Sequence, residues 1–284
     1  ATGKRTIVKF EGHYHGWFDN ILWSTAPGLN AAGPEDAPTP VIGSKGQDPQ
    51  AGEGLSILGW NDLAALEARL AKGDVAAVLM EPAMCNQGAI APAPGYLEGA
   101  LAACRKHGAI LIFDEVITGF GRCGSRTGAD AFGVVPDIMT FAKQVTNGVQ
   151  PLGGVIAKTQ IYDTFMAAGG HDYMLEFPHG YTYSAHPVAC AAALAAPDIL
   201  QNEKMIERVQ ALVPHFEAAV HSLKGAKHVL DIRNFGLAAG FTIAPLPGEP
   251  ARRPYEIAMN CWKKGFYVRY GGDTIQLAPP FISE

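Results

Sequence analysis

Ala109-Ile110-Leu111-Ile112-Phe113-Asp114-Glu115-Val116-Ile117-Thr118-Gly119-Phe120-Gly121-Arg122 is the stretch on which the fold turns. An unbroken apolar run of this length and composition reads as a strand buried on both faces, and it ends abruptly on an acid and a glycine-containing turn. Just upstream lies a helical pattern. Pro94 sits near its start, Leu97, Leu101 and Cys104 form one apolar stripe, Glu98, Arg105 and Lys106 face outward, and Gly108 supplies the stop. A helix feeding such a strand is part of a βα unit. Thr6 to Phe10, Val75 to Met80, Ile138 to Ala142 and Gly154 to Ala157 are further short apolar runs on either side. Their alternation with helical patterns predicts an α/β fold, a mainly parallel sheet flanked by helices, and near-continuous burial of these runs as central strands.

Farther out the pattern changes. Pro187 to Leu200 is Ala-rich and reads as a helix, although Pro197 inside it should cost roughly 3 kcal/mol or force a kink. Pro27 to Gly54 is rich in Gly and Pro and reads as a long surface loop, of the kind that often helps wall a binding site. From Asn202 an amphipathic helix runs to Leu223, followed by strands near His228 to Ile232 and Leu237 to Ile243 and a helix from Pro254 to Lys264. This divides the chain into a large domain over residues 1–201 and a small C-terminal α+β domain over 202–284.

With 284 residues and 48% hydrophobic content, the chain can bury a sizeable core. A net charge of -5 without a Lys/Arg-rich run excludes an electrostatic footprint for nucleic acid, which leaves a small molecule as the expected partner. Five scattered cysteines without CxxC or Cys/His ligand spacing point to neither a disulfide framework nor a metal site, and fit a reducing cytoplasm. No apolar run is long enough for a membrane span. Both ends read as cut. The chain opens on Ala1-Thr2-Gly3-Lys4-Arg5 directly before an apolar run and stops shortly after Pro279-Pro280.

Two residues carry the chemistry. Asp114 follows a buried strand, where doubly wound sheets bind ligands, although an acid there also serves as a helix cap or turn residue. Lys143 follows Ile138-Met139-Thr140-Phe141-Ala142 and precedes an Asn147-Gly148 turn. Partial burial would lower its pKa, as an imine-forming lysine requires; the alternative is a lysine that snorkels to water. Together they match the needs of a pyridine cofactor: a carboxylate at the ring nitrogen and an amine at the aldehyde.

With Tyr14-His15-Gly16 upstream and His179-Gly180-Tyr181-Thr182-Tyr183 downstream, these segments resemble the class III (omega) aminotransferases of pyridoxal 5'-phosphate (PLP) fold type I, in order and in spacing. The resemblance spans almost the entire chain. It implies a homodimer with active sites shared between subunits, Lys143 as the Schiff-base lysine and proton carrier, and Asp114 on the pyridinium nitrogen. Val116 would lie under one ring face and Tyr14 on the other, with His15 and Gly16 beside it. Thr182 would donate its hydroxyl to the phosphate of the neighbouring subunit's cofactor, and Arg269 would bind a substrate carboxylate as a bidentate fork. Taken singly, Val116 and Tyr14 also read as core residues, Thr182 as a strand threonine and Arg269 as a surface arginine. Glu81-Pro82 matches the family too, with Glu81 read as structural or supporting.

Within the family, Lys143 to Gly148, Tyr162 to Gly170, Leu175 to Gly180 and Ser184-Ala185-His186-Pro187 resemble beta-alanine (omega-amino acid):pyruvate aminotransferases. Phe10 to Gly16 and Cys85-Asn86-Gln87-Gly88 look more like glutamate-1-semialdehyde aminomutases. The glycine-rich turn that the aminomutases carry after the lysine is absent here, and Ile117 stands where relatives using alpha-ketoglutarate often have Gln. The resemblance thus implies a two-stage transfer from an omega-amino acid or primary amine to a keto acid such as pyruvate. An aminomutase is one alternative. An inactive fragment or binding-only relative is another, because the family's phosphate-cradling Gly-Ser-Glu-Ala type segment upstream of Tyr14 and its final helix are not in this sequence. A nucleotide-binding α/β protein lacks support, since no GxGxxG or Walker A pattern follows a strand.

Overall fold

The apolar runs become parallel strands because each is followed by a segment that can cross back over the sheet. The computed structural model describes residues 1–171, 173–174 and 177–284, so Leu175 and Glu176 of the Leu175 to Gly180 segment lie outside the described residues. In chain order the first elements are β1 (Thr6–Phe10), α1 (Leu29–Ala32), β2 (Leu55–Leu58), α2 (Leu63–Leu70), β3 (Val75–Met80), α3 (Tyr96–His107), β4 (Ile110–Asp114), α4 (Gly128–Phe132), β5 (Ile138–Phe141), β6 (Gly154–Ala157) and α5 (Thr159–Ala168). They are followed by α6 (Pro187–Asn202), α7 (Met205–His221), β7 (Val229–Phe235), β8 (Ala238–Ile243), α8 (Arg252–Lys263), β9 (Arg269–Gly271) and β10 (Thr274–Leu277). Short 3-10 turns occupy Pro49–Gly52, Cys85–Gln87 and Lys143–Thr146.

The first sheet runs β2-β1-β3-β4-β5-β6, parallel except for β6, which pairs antiparallel with β5. α3 shows how the sequence enforces this arrangement. Leu97, Ala100, Ala103 and Cys104 form its buried face, Arg105, Lys106 and His107 complement the negative end of its dipole, and Gly108 ends it at φ 62°. That face meets Leu111 and Phe113 of β4 and Val8, Phe10, Val78 and Met80 of β1 and β3 in the main core. Burying each large side chain there contributes about 1.5–3 kcal/mol.

Not every expectation holds. β5 is only half-buried and β6 is largely exposed, with Val155 at 65%, because β6 is an edge strand rather than a central one. Residues 27–54 are mostly irregular, yet among their described side chains none lines the cavity described below. α6 runs unbroken through Pro197, and nothing in the structure offsets the hydrogen bond that Pro197 cannot make.

The second sheet, β7-β8-β10-β9, is antiparallel throughout. Phe241, Ile243 and Ile275 pack with Val220 of α7 on one face of it. Arg122, the last residue of the opening stretch, joins the two sheets. Its Nη1 donates to Leu237 O at 3.1 Å and Pro279 O at 2.6 Å, and its guanidinium lies 4.7 Å from the Phe281 ring. Phe132 and Phe235 stack across the same junction at 4.9 Å.

Candidate active site

Three adjacent parallel strands bring charged groups to one end of the first sheet. β3 is followed at once by Glu81, β4 ends on Asp114, and β5 ends two residues before Lys143. A cavity of about 280 Å³ opens at these carboxyl ends. It brings together six residues expected from the sequence: Tyr14, His15, Gly16, Asp114, Val116 and Lys143. Five further residues complete its lining, Leu79, Glu81, Asn86, Ile117 and Thr140. A strand-end position was the available signal for Thr140, whose register partner across β4 and β5 is Asp114.

Asp114 is buried and aligned from two sides. His15 Nδ1 lies 2.7 Å from its Oδ2, and Val116 N donates to Oδ1 at 3.0 Å. Burial lowers the His15 pKa, against the opposing pull of the Asp114 carboxylate. Burial thus favours the neutral ring, in which Nδ1 is the nitrogen that faces Asp114 while Nε2 has no partner among the described residues. Glu115, next in sequence, faces away from this chemistry. It accepts Gly128 N and Ala129 N at 2.7 Å each and the Thr118 hydroxyl, and so anchors the start of α4.

Lys143 sits at φ 50°, in the left-handed region that costs a non-glycine residue about 1–3 kcal/mol. Burial lowers its ammonium pKa; Asp114 and Glu81 pull it back up, and Arg269 pushes it further down. Glu81 lies deeper, and burial pushes its carboxyl up to about 7 although Tyr14 N and the Asn86 amide groups stabilise the charged form. The closest donor on Tyr14 is its backbone N, 3.1 Å from Glu81 Oε1.

Two expected residues stand apart. Arg269 is exposed and lines a separate groove of about 100 Å³ between α8 and β9, with Trp262, Phe266, Tyr267 and Tyr270. Its charge nonetheless reaches Lys143. Thr182 lies exposed in a turn before α6, not in a strand, and lines neither cavity. Among the described residues no cluster of three or more His, Cys, Asp or Glu could hold a metal ion.

Residues 1–284 match the family described as aminotransferase class-III from end to end. The chain belongs to the class-III aminotransferases. Over 211 residues, 74% of this chain, it is 56% identical to the omega-amino acid–pyruvate aminotransferase of Pseudomonas putida. Over 208 residues, 73% of the chain, it is 54% identical to the beta-alanine–pyruvate aminotransferase of Pseudomonas aeruginosa. The matched regions are 47% and 46% of those two proteins, so the chain spans about half the length of the curated relatives it matches. In three dimensions it superposes on an (S)-enantioselective omega-transaminase from Thermomicrobium roseum with a TM-score of 0.83 at 29% identity, covering 100% of this chain and 65% of that one.

Class-III aminotransferases imply PLP, and the residues present fit it. The cavity offers a buried, pre-aligned carboxylate for a protonated ring nitrogen, a lysine whose amine form is favoured by burial, and Tyr14 and Val116 as apolar walls. Among the described residues, no helix is long and apolar enough to cross a membrane.

Proposed function

We propose that the chain performs PLP-dependent transfer of an amino group from an omega-amino acid or primary amine to a keto acid such as pyruvate. The observation that carries this reading is the convergence of Asp114 and Lys143 in one cavity at the ends of neighbouring strands. When bound, the cofactor supplies an electron sink that acidifies the carbon bearing the amino group.

Asp114 holds the ring nitrogen in its protonated form, and His15 keeps the carboxylate turned toward it. Lys143 would hold the cofactor through Nζ, and once a substrate amine displaced it, its free amine would be the group in the cavity placed to move a proton. Its lowered pKa favours the form that can accept that proton. Val116 and Tyr14, both in the cavity lining, would hold the ring between them, and Gly16 at φ 97° turns the chain away after His15. Arg269 takes a substrate carboxylate through its guanidinium fork.

Thr182 is assigned to the phosphate of a neighbouring subunit's cofactor in a homodimer, which its exposure outside the cavity supports. We further assign residues 1–201 to the large cofactor-binding domain, residues 202–284 to the small domain, and the protein to the cytoplasm. The test is the visible absorption spectrum of the protein with added PLP, before and after beta-alanine, for wild type and Lys143→Ala. A band that requires Lys143 and is bleached by the amine is expected. Absence of that band from wild type would overturn the reading.

A further inference from the structure

Glu81 has no part in the roles above, yet four donors converge on its carboxylate. Tyr14 N and Asn86 Nδ2 donate to Oε1 at 3.1 and 3.3 Å, and Cys85 N and Asn86 N donate to Oε2 at 2.9 and 3.3 Å. One donor comes from Tyr14, and the other three belong to the 3-10 turn Cys85–Gln87, whose Asn86 also lines the cavity. The second sheet lands on that same turn. Gln276 Nε2 donates to Asn86 O at 2.6 Å, and Arg233 Nη2 donates to Gln87 O at 2.6 Å. Gln276 in β10 is in turn the register partner of Arg269 in β9. A continuous series of contacts thus runs from Tyr14 through Glu81, the turn and Gln276 to the strand that carries Arg269.

We propose that Glu81 is a positioning residue that ties the cofactor wall at Tyr14 to the substrate-binding strand at Arg269 through the turn Cys85–Gln87. The assignment rests on the reading of Arg269 as the carboxylate-binding residue. The ionised carboxyl, the dominant form above about pH 7, where the test is run, suits the task because its two oxygens only accept and can serve several N–H donors at once. An amide in its place turns one acceptor into a donor and sets it against the N–H groups around it. Gln276 is the independent check, since it holds the turn through Asn86 O, an atom that makes no hydrogen bond to Glu81.

The test uses Glu81→Gln and Gln276→Ala in the full chain. Backbone amide hydrogen exchange is measured without cofactor, and KM is measured with beta-alanine and with 1-phenylethylamine, a primary amine without a carboxylate. Glu81→Gln should speed exchange at Tyr14, Cys85 and Asn86 and also across Arg269–Gly271. Both variants should raise the KM for beta-alanine relative to that for 1-phenylethylamine, by about tenfold if one hydrogen bond's worth of positioning is lost. Gln276→Ala should reproduce the effect at Arg269–Gly271 without the effect at Tyr14, and it keeps the test decisive if Glu81→Gln fails to fold. An exchange change in Glu81→Gln that stops at the turn and does not reach Arg269–Gly271, or KM rising equally for both amines in Gln276→Ala, would overturn the proposal. The exchange measurement involves neither cofactor nor amine. A wild type that fails to react with beta-alanine would therefore sink the proposed function while the coupling is still decided.

Discussion

Asp114 has both carboxylate oxygens engaged by its own chain, one by His15 Nδ1 and one by Val116 N, so its direction is set before any ligand arrives. Removing one partner of a buried charged pair costs about 3–5 kcal/mol. Asp114→Ala should accordingly weaken PLP binding by roughly 10²- to 10⁴-fold, read by absorbance titration. His15→Phe should weaken it less, because Val116 N still holds one oxygen. Lys9 offers a prediction outside the active site. It is fully buried, with its ammonium donating to His13 O at 2.9 Å and to Trp23 O, and burial lowers its pKa to about 8 from 10.5. Below about pH 8 both folded and unfolded chains carry the proton. Between about 8 and 10.5 the unfolded chain binds the proton that the folded chain has lost, so stability rises with pH across that window, by at most about 3 kcal/mol. Denaturation against pH should show this slope in wild type and lose it in Lys9→Met. Asp114 and Lys143 were legible in the sequence because each follows an apolar strand. Glu81 also follows one, but the donors that define its surroundings come from residues 14, 85 and 86, and no spacing announces that convergence.

At the level of elements, β8 meets the residue after the turn Cys85–Gln87 backbone against backbone. A Cβ on Gly240 in β8 would lie 2.6 Å from Gly88 Cα, with no flexible side chain to give way. Gly240→Ala should push the turn Cys85–Gln87 off β8, cost about 1–3 kcal/mol and lower Tm. α7 offers the opposite sign. Pro214 lies inside it and is exposed, so Pro214→Ala restores a helical hydrogen bond without disturbing packing. The gain of about 3 kcal/mol is partly offset by about 0.4–1 kcal/mol of added freedom in the unfolded chain, and a net rise in Tm is expected. The element pattern was legible wherever an apolar run stood between clear stops. β1, β3 and β6 fall on the residues read from sequence, and β4 is shifted by one because Asp114 still pairs with Thr140. β2 was hidden, since Leu55–Leu58 is short and follows the Gly/Pro-rich stretch, and β9 and β10 pair around a turn with no long apolar run on either side.

At the scale of the whole molecule, the first sheet is well covered around β1, β3 and β4 and poorly covered from β6 onward. α5 has no buried residue, and Tyr181, Tyr183 and Val188 around the start of α6 are exposed at 78%, 79% and 55%. Large apolar exposure of this kind marks an interaction surface. Thr182 lies among these residues, away from the cavity of its own chain. In the proposed homodimer a second copy would cover this surface, and Thr182 would reach that copy's cofactor. Composition and strand pattern do not show where such a surface lies, because an exposed tyrosine and a covered one look alike in sequence. Val188→Glu buries a charge at such an interface and should shift the protein toward monomer in sedimentation velocity, with PLP affinity falling in parallel. Thr182→Ala should leave the dimer intact and weaken PLP binding by about 1–3 kcal/mol, the worth of a hydrogen bond to a charged group. A monomeric Val188→Glu that binds PLP as tightly as wild type would remove Thr182 from the neighbouring site and make each chain's cavity self-sufficient.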